Sequence, residues 1–267
     1  MKKEIITTVM VSMAGVGAAL AQSQPAAPVQ TPPPVQYVAP APYYVAPPPY
    51  YAAPAQYPPP APYGYFFPPD AGPYFRAEAG PTIYQNGELK TFGGPASGSV
   101  HYRVGAMTDA DFGYAFNKYI EAGIELGFNG TTIDSIPGYS LSNAQYYNVP
   151  FLANVTFSYP IPHTFLTPYI GGGAGGSDSI FDPDQMSNGS GPGSVAVYGS
   201  ENDVVFAWEA YAGLRFQFTP NMSLGLGYKY FATGDPNFSY PPSPNFNVGF
   251  RGVETHSIMA SFTLSFW

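Results

Sequence analysis

From Gly72 to the end of the chain, apolar residues fall at every second position with polar residues or glycine between them. That two-residue period belongs to strands whose two faces meet different surroundings. In one stretch Tyr102, Val104, Ala106, Ala110, Phe112, Tyr114 and Phe116 share a face, while Arg103, Gly105, Asp109, Asp111 and Gly113 share the other. In the next, Ile120, Ala122, Ile124, Leu126 and Phe128 oppose Tyr119, Glu121, Gly123, Glu125 and Asn129. Val149, Phe151, Ala153, Val155 and Phe157 then oppose Asn148, Asn154, Thr156 and Ser158, and Phe206, Trp208, Ala210, Ala212, Leu214 and Phe216 oppose Glu209, Tyr211, Gly213, Arg215 and Gln217. The last stretch sets Ile258, Ala260, Phe262, Leu264 and Phe266 against Ser257, Met259, Ser261, Thr263 and Ser265. With further strands predicted over 72–83, 165–174 and 222–230, the count is eight. Around Pro168-Tyr169-Ile170-Gly171-Gly172-Gly173 the pattern does not assign the faces.

The connections sort by length. Those after the second, fourth and sixth strands are short: Asn117-Lys118, Pro160 to His163, and Thr219-Pro220-Asn221. Those after the first, third, fifth and seventh are long and polar, over roughly 85–99, 130–144, 175–203 and 232–253. Short turns at one end and long loops at the other are the arrangement of a transmembrane barrel, whereas a soluble sandwich has no reason to sort its loops. The predicted fold is therefore all-β: an eight-stranded antiparallel up-and-down barrel with its apolar face toward lipid.

The charges follow the same partition. Arg76, Glu78, Arg103, Asp109, Asp111, Glu121, Glu125, Glu209, Arg215 and Lys229 all fall on the face assigned to the interior. A slip of one residue would turn Arg103, Arg215 and Lys229 toward lipid at roughly 2–4 kcal/mol each near the midplane, so the register is strongly specified. An interior of this strand number is just wide enough for side chains to fill, so these residues are expected to form a charge-paired plug. The alternative is a gate whose pairs exchange to pass small ions or solutes.

Composition supports an unusual solvent. Aromatic residues make up 17% and charged residues only 10%, the latter against about 25% in ordinary globular proteins. The net charge of −8 argues against a nucleic-acid partner. With no cysteine, disulfides and thiolate metal sites are excluded, and no cofactor is implied.

The N-terminal part reads differently. Lys2 and Lys3 precede an apolar run from Ile5 to Val16, and Ala19-Leu20-Ala21 offers small residues for cleavage, so residues 1–21 are expected to be a signal peptide. Residues 22–71 are expected to be a disordered periplasmic spacer, because 22–69 carries no charge and a density of proline that blocks helix and central strand alike. Extended at about 3.1 Å per residue, such a segment reaches on the order of 150 Å, enough for its tyrosines to contact a periplasmic partner or the cell wall. The barrel is assigned to 72–267.

Catalysis has little support. His101, His163 and His256 are the available imidazoles, and His256 and Ser257 are strand neighbours that point to opposite faces. The acids Asp178, Asp182, Asp184, Glu201 and Asp203 lack the spacing of a calcium loop and read as a solvated loop surface. The chain is not expected to be an enzyme or to hold a metal.

The alternation of short turns and long loops, the segment Pro168-Tyr169-Ile170-Gly171-Gly172-Gly173-Ala174-Gly175, the run Leu226-Gly227-Tyr228-Lys229-Tyr230, and a C-terminal strand ending in an aromatic together resemble the OmpA-like, opacity-type outer-membrane barrels. The resemblance covers most of residues 72–267. It implies location in the outer membrane, contact with its lipid and with the barrel-assembly machinery, periplasmic termini, and four long loops facing outside. The assembly signal would lie in Phe262, Leu264, Phe266 and Trp267. The apolar set ends at Phe266, one residue short of the terminus, so either Phe266 carries the signal or Trp267 turns into the membrane interface. A structural and surface-interaction role is the leading expectation, and a narrow pore for small solutes is the alternative.

Overall fold

The computed structural model describes residues 71–189, 191, 193–240 and 246–266; the expected signal peptide, the proline/tyrosine segment up to residue 70 and Trp267 lie outside them. Strand β1 (Gly72–Tyr84) is followed by a long connection that itself folds into β2 (Gly87–Phe92) and β3 (Pro95–Tyr102) before β4 (Gly105–Ala115). Then come β5 (Ile120–Ser135), the short β6 (Ser140–Ser142), β7 (Gln145–Ser158) and β8 (Leu166–Asp182). The third long connection holds β9 (Gln185–Ser187) and β10 (Ala196–Val197), and β11 (Glu201–Gln217) and β12 (Met222–Thr233) follow. The fourth holds β13 (Asn237–Ser239) and β14 (Asn247–Phe250), and β15 (Glu254–Ser265) ends the chain.

Eight of these strands close on themselves in the order β1-β4-β5-β7-β8-β11-β12-β15, each antiparallel to both neighbours, with β15 returning to pair with β1. Closure satisfies every ladder and leaves no edge strand, which is the condition for β-structure within lipid. The short turns are built locally: the Asn117 carboxamide oxygen accepts from the amides of Tyr119 at 2.7 Å and Ile120 at 3.0 Å, an Asx turn that needs no tertiary support. At the same end the Phe266 amide donates to Pro73 O at 2.9 Å, and Asn221 Nδ2 donates to Ser265 O at 2.9 Å, pinning the last strand to the first.

The two faces separate as the period requires. Ile124, Leu126, Phe151, Leu226 and Ile258 are all more than half exposed on the outside, whereas Glu125, Leu152, Lys229 and Met259 are buried inside. Of the C-terminal set, Phe262 and Phe266 also project outward. Strand β8, whose faces the sequence did not assign, turns Thr167, Tyr169, Gly171 and Gly173 inward. Its glycines admit larger neighbours: a Cβ on Gly171 would lie 2.4 Å from the Tyr211 ring, which its hydroxyl, 2.7 Å from Thr156 Oγ1, holds in place. A Leu226→Arg substitution on the outer face is expected to destabilise the folded barrel by about 2–4 kcal/mol. Urea titration of the protein folded into bilayers measures this, and an unchanged midpoint would place Leu226 away from the hydrocarbon.

Three expectations are corrected. The strands run well past the predicted limits at the long-loop end, β8 and β11 to 17 residues each, where about 10 suffice for a tilted membrane strand. The long loops are also not simply polar surface. They fold over this end of the barrel and bury Leu89, Val100, Ile136, Phe181, Phe238 and Phe250 in one core, each 3% exposed or less, together with Tyr146, Met186, Val197 and Tyr240. Rings cluster tightly there, with the Phe181 centroid 5.0 Å from Phe250 and 5.8 Å from Phe238. Exposed ion pairs strap the cap from outside: Lys90 with Asp235, and Arg251 with Glu88 at 3.5 Å, both joining the first loop to the fourth. The Lys90 hydrogen bond, aided by the Gly252 amide, holds the Asp235 carboxyl below its usual range.

The third correction concerns Arg103. Strand pairing breaks between β3 and β4, and the register against β5 shifts between His101 and Tyr102. The alternation therefore changes phase, and Tyr102 packs against the apolar cap while Arg103 turns out. Its side chain is 67% exposed and pairs with Asp134 at 2.8 Å. Strict alternation carried through residue 103 had placed it inside.

Candidate functional site

The remaining interior charges meet in two layers. Nearer the short turns, Arg76 reaches Asp111 at 3.3 Å and Glu121 at 2.5 Å, and Arg215 grips both oxygens of the same Glu121 at 2.6 and 3.0 Å. Glu121 thus bridges two guanidinium groups held on β1 and β11. Tyr74 completes the layer, donating its hydroxyl to Asp111 at 3.0 Å while its ring lies 5.0 Å from the Arg76 guanidinium carbon. Arginine suits this place because its planar fork serves several carboxylate oxygens at once.

One level deeper, a single ammonium gathers four carboxylates. Lys229 Nζ lies 2.9 Å from Asp109, 2.9 Å from Glu125, 3.1 Å from Glu209 and 3.3 Å from Glu78. These side chains come from β12, β4, β5, β11 and β1 and are 4% exposed or less, so the layer forms only when the barrel closes. One oxygen each from Glu78, Asp109 and Glu125 falls within 4.8 Å of the others, a spacing that a hard cation could use, but the Lys229 ammonium already occupies the centre. In a low-dielectric interior each of these charges is tolerable only because the partner is in contact.

Beyond the ionic layers the interior is mixed, with buried polar side chains such as Asn129, Asn148 and Ser179 beside apolar ones. Leu152 and Ala207 are fully buried with Phe231 in a small cluster, and beyond that lies the cap core. At the opposite end a polar mouth is lined by Asn117, Lys118, Gln217, Asn221 and Ser223 and reaches up to Glu121 and Arg215. The barrel interior is therefore approached from the short-turn end and filled above it.

Of the ten interior charges read from the sequence, nine meet in these two layers and Arg103 does not. Sequence reasoning missed Tyr74 and Tyr169, whose rings cover Arg76 and Arg215 at 5.0 and 5.4 Å. Tyr74 shares the parity of Arg76 and was legible on that ground; Tyr169 precedes a glycine run that erases the alternation. Among the histidines, His256 faces outward, its ring joined to the Tyr228 hydroxyl and to Gln85 Nε2 at 2.6 Å, while its neighbour Ser257 points inward to Thr82. The loop acids serve as separate anchors: Asp178 accepts from Asn202 at 2.8 Å, Asp203 from the Asn237 amide at 2.8 Å, and Asp184 from Asn143 at 3.3 Å.

The profile of the family described as "Outer membrane protein beta-barrel domain" matches residues 69–266. A search of curated proteins finds no match. Among solved structures the chain is similar to Neisserial surface protein A, with 16% identity, 73% of this chain and 99% of that chain covered, and a TM-score of 0.43. It is also similar to the outer membrane protein OprG from Pseudomonas aeruginosa, with 11% identity, coverage of 73% and 97%, and a TM-score of 0.45. The outer membrane protein AlkL is a third, with 16% identity, coverage of 74% and 92%, and a TM-score of 0.44.

Proposed function

This chain belongs to the outer-membrane protein β-barrel domain family, and from that premise we propose that it is a closed structural barrel that presents a folded cap at the cell surface. In this reading the long-loop end faces outside, and the mouth between the short turns opens to the periplasm. Residues 1–21 direct export, and residues 22–69 tether the barrel to a periplasmic partner or the cell wall. The observation that carries it is double closure of the interior. Two layers of buried ion pairs fill the lumen, and an apolar core covers it beyond them. A hydrated ion would have to part Lys229 and two guanidinium groups from their carboxylates and then cross a core of aromatic and aliphatic side chains.

Planar-bilayer recording of the folded full chain is expected to give no discrete current steps while folded protein is inserted. Reproducible steps would overturn the closed reading and favour the narrow pore, with Lys229 and Arg215 as the first residues to exchange.

A further inference from the structure

The mouth between the short turns is a cavity to whose wall all eight barrel strands contribute. Four aliphatic hydroxyls line it, Ser158 on β7, Thr167 on β8, Ser223 on β12 and Thr263 on β15, and each of these residues is 7% exposed or less. Ser158 Oγ and Thr263 Oγ1 have no hydrogen-bond partner. A buried hydroxyl in that state has lost its bonds to water without replacement, so two of them on the wall of one cavity point to a group that bonds them there.

The carboxamides that line the same mouth are half committed. Asn117 gives its oxygen to the Tyr119 and Ile120 amides at 2.7 and 3.0 Å, which leaves its NH2 group. Asn221 and Gln217 donate their NH2 groups to Ser265 O at 2.9 Å and Pro220 O at 3.0 Å, which leaves their oxygens. Donors and acceptors are thus offered side by side. The charges disfavour an ion of either sign. Arg76 and Arg215 balance Glu121 and Asp111 in the layer that floors the mouth, and Lys118 adds one positive charge at its lining. A cation would meet these guanidinium and ammonium groups, and an anion would face the Lys229 layer above, where one ammonium stands against four carboxylates.

We infer that this mouth binds the hydroxyl-bearing edge of a neutral saccharide, bonded by Ser158, Thr263 and the remaining ends of the carboxamides. A sugar hydroxyl donates and accepts at once, which is what this mixed lining requires. A few placed polar groups on a concave wall suffice to orient such a ligand. Only the side of the membrane from which the sugar comes, the periplasm, rests on the orientation proposed above. Its source is a free sugar or the end of a glycan chain.

The full chain, labelled with nitrogen-15 and folded into lipid nanodiscs, is titrated with glucose and with maltotetraose while its backbone amide resonances are followed. Saturable shifts confined to the mouth, at Ser158, Thr167, Ser223 and Thr263, are expected. Ser158→Ala and Thr263→Val each remove a hydroxyl at nearly constant volume and are each expected to weaken binding about three- to tenfold. Heat-modifiable electrophoretic mobility verifies that both variants fold, and Asp178→Asn, at the long-loop end, is expected to bind as wild type does. Tighter binding of maltotetraose would identify a glycan end, and equal binding a free sugar. No saturable shift with either sugar, or undiminished binding in both hydroxyl variants, would overturn the inference and leave water as the partner of these hydroxyls. Acetate that shifts the same amides where the sugars do not would overturn it in favour of an anion. Current steps in the bilayer recording with these shifts intact would overturn the closed reading alone.

Discussion

Replacing Lys229 by methionine is expected to cost the folded barrel about 3–5 kcal/mol, because it strips the only ammonium from four buried carboxylates. The methionine side chain fills most of the space, so the loss is electrostatic rather than a cavity. Urea unfolding in bilayers, followed by tryptophan emission and heat-modifiable mobility, reads the effect. Adding Glu125→Gln and Glu209→Gln to Lys229→Met should recover a large part of it, since amides leave no uncompensated charge. If the single substitution leaves the midpoint unchanged, or the added amides recover nothing, the ion-pair layer does not hold this barrel together.

Phe181→Ala should open the cap and spare the barrel. Phe181 is fully buried against Phe238, Phe250 and Tyr240, contributed by the last loop, while it sits itself at the end of β8. Removing a ring from such a core costs about 3–5 kcal/mol. That loss falls on the loops, because the hydrogen-bonded strands below do not depend on the ring. Limited proteolysis of protein in oriented membranes is expected to cut the segments 183–200 and 234–253 far faster than in wild type, with unchanged mobility of the unboiled barrel. Equal resistance would mean that the ion pairs Lys90–Asp235 and Arg251–Glu88 suffice to hold the loops.

The period-two alternation was enough to place nearly every barrel residue on its face. Each strand separates lipid from a polar lumen, so the signal is written locally at every second position. Glu121, Glu125, Glu209, Arg215 and Lys229 were legible as interior residues for that reason. The alternation failed at two kinds of place. In β8, Gly171, Gly172 and Gly173 carry no side chains to alternate, so the inward turn of Tyr169 appears only when Tyr211 is seen filling the space beside it. At Arg103 a break in strand pairing changes the phase, and no residue type near it announces the break.

The sequence by itself thus determined the strand count, the closure into a barrel, the sides of most residues and the sorting of turns from loops. Only the tertiary structure decided which charges touch, because the five side chains of the Lys229 layer come from five strands and are brought together by shear and register. It alone decided the cap as well. Leu89, Val100, Ile136, Phe181, Phe238 and Phe250 follow no common period along the chain, and they become a core only where separate loops fold over the same end of the barrel. Local periodicity reports what a single strand faces, whereas a core assembled from several connections is non-local and leaves no periodic trace in any one of them.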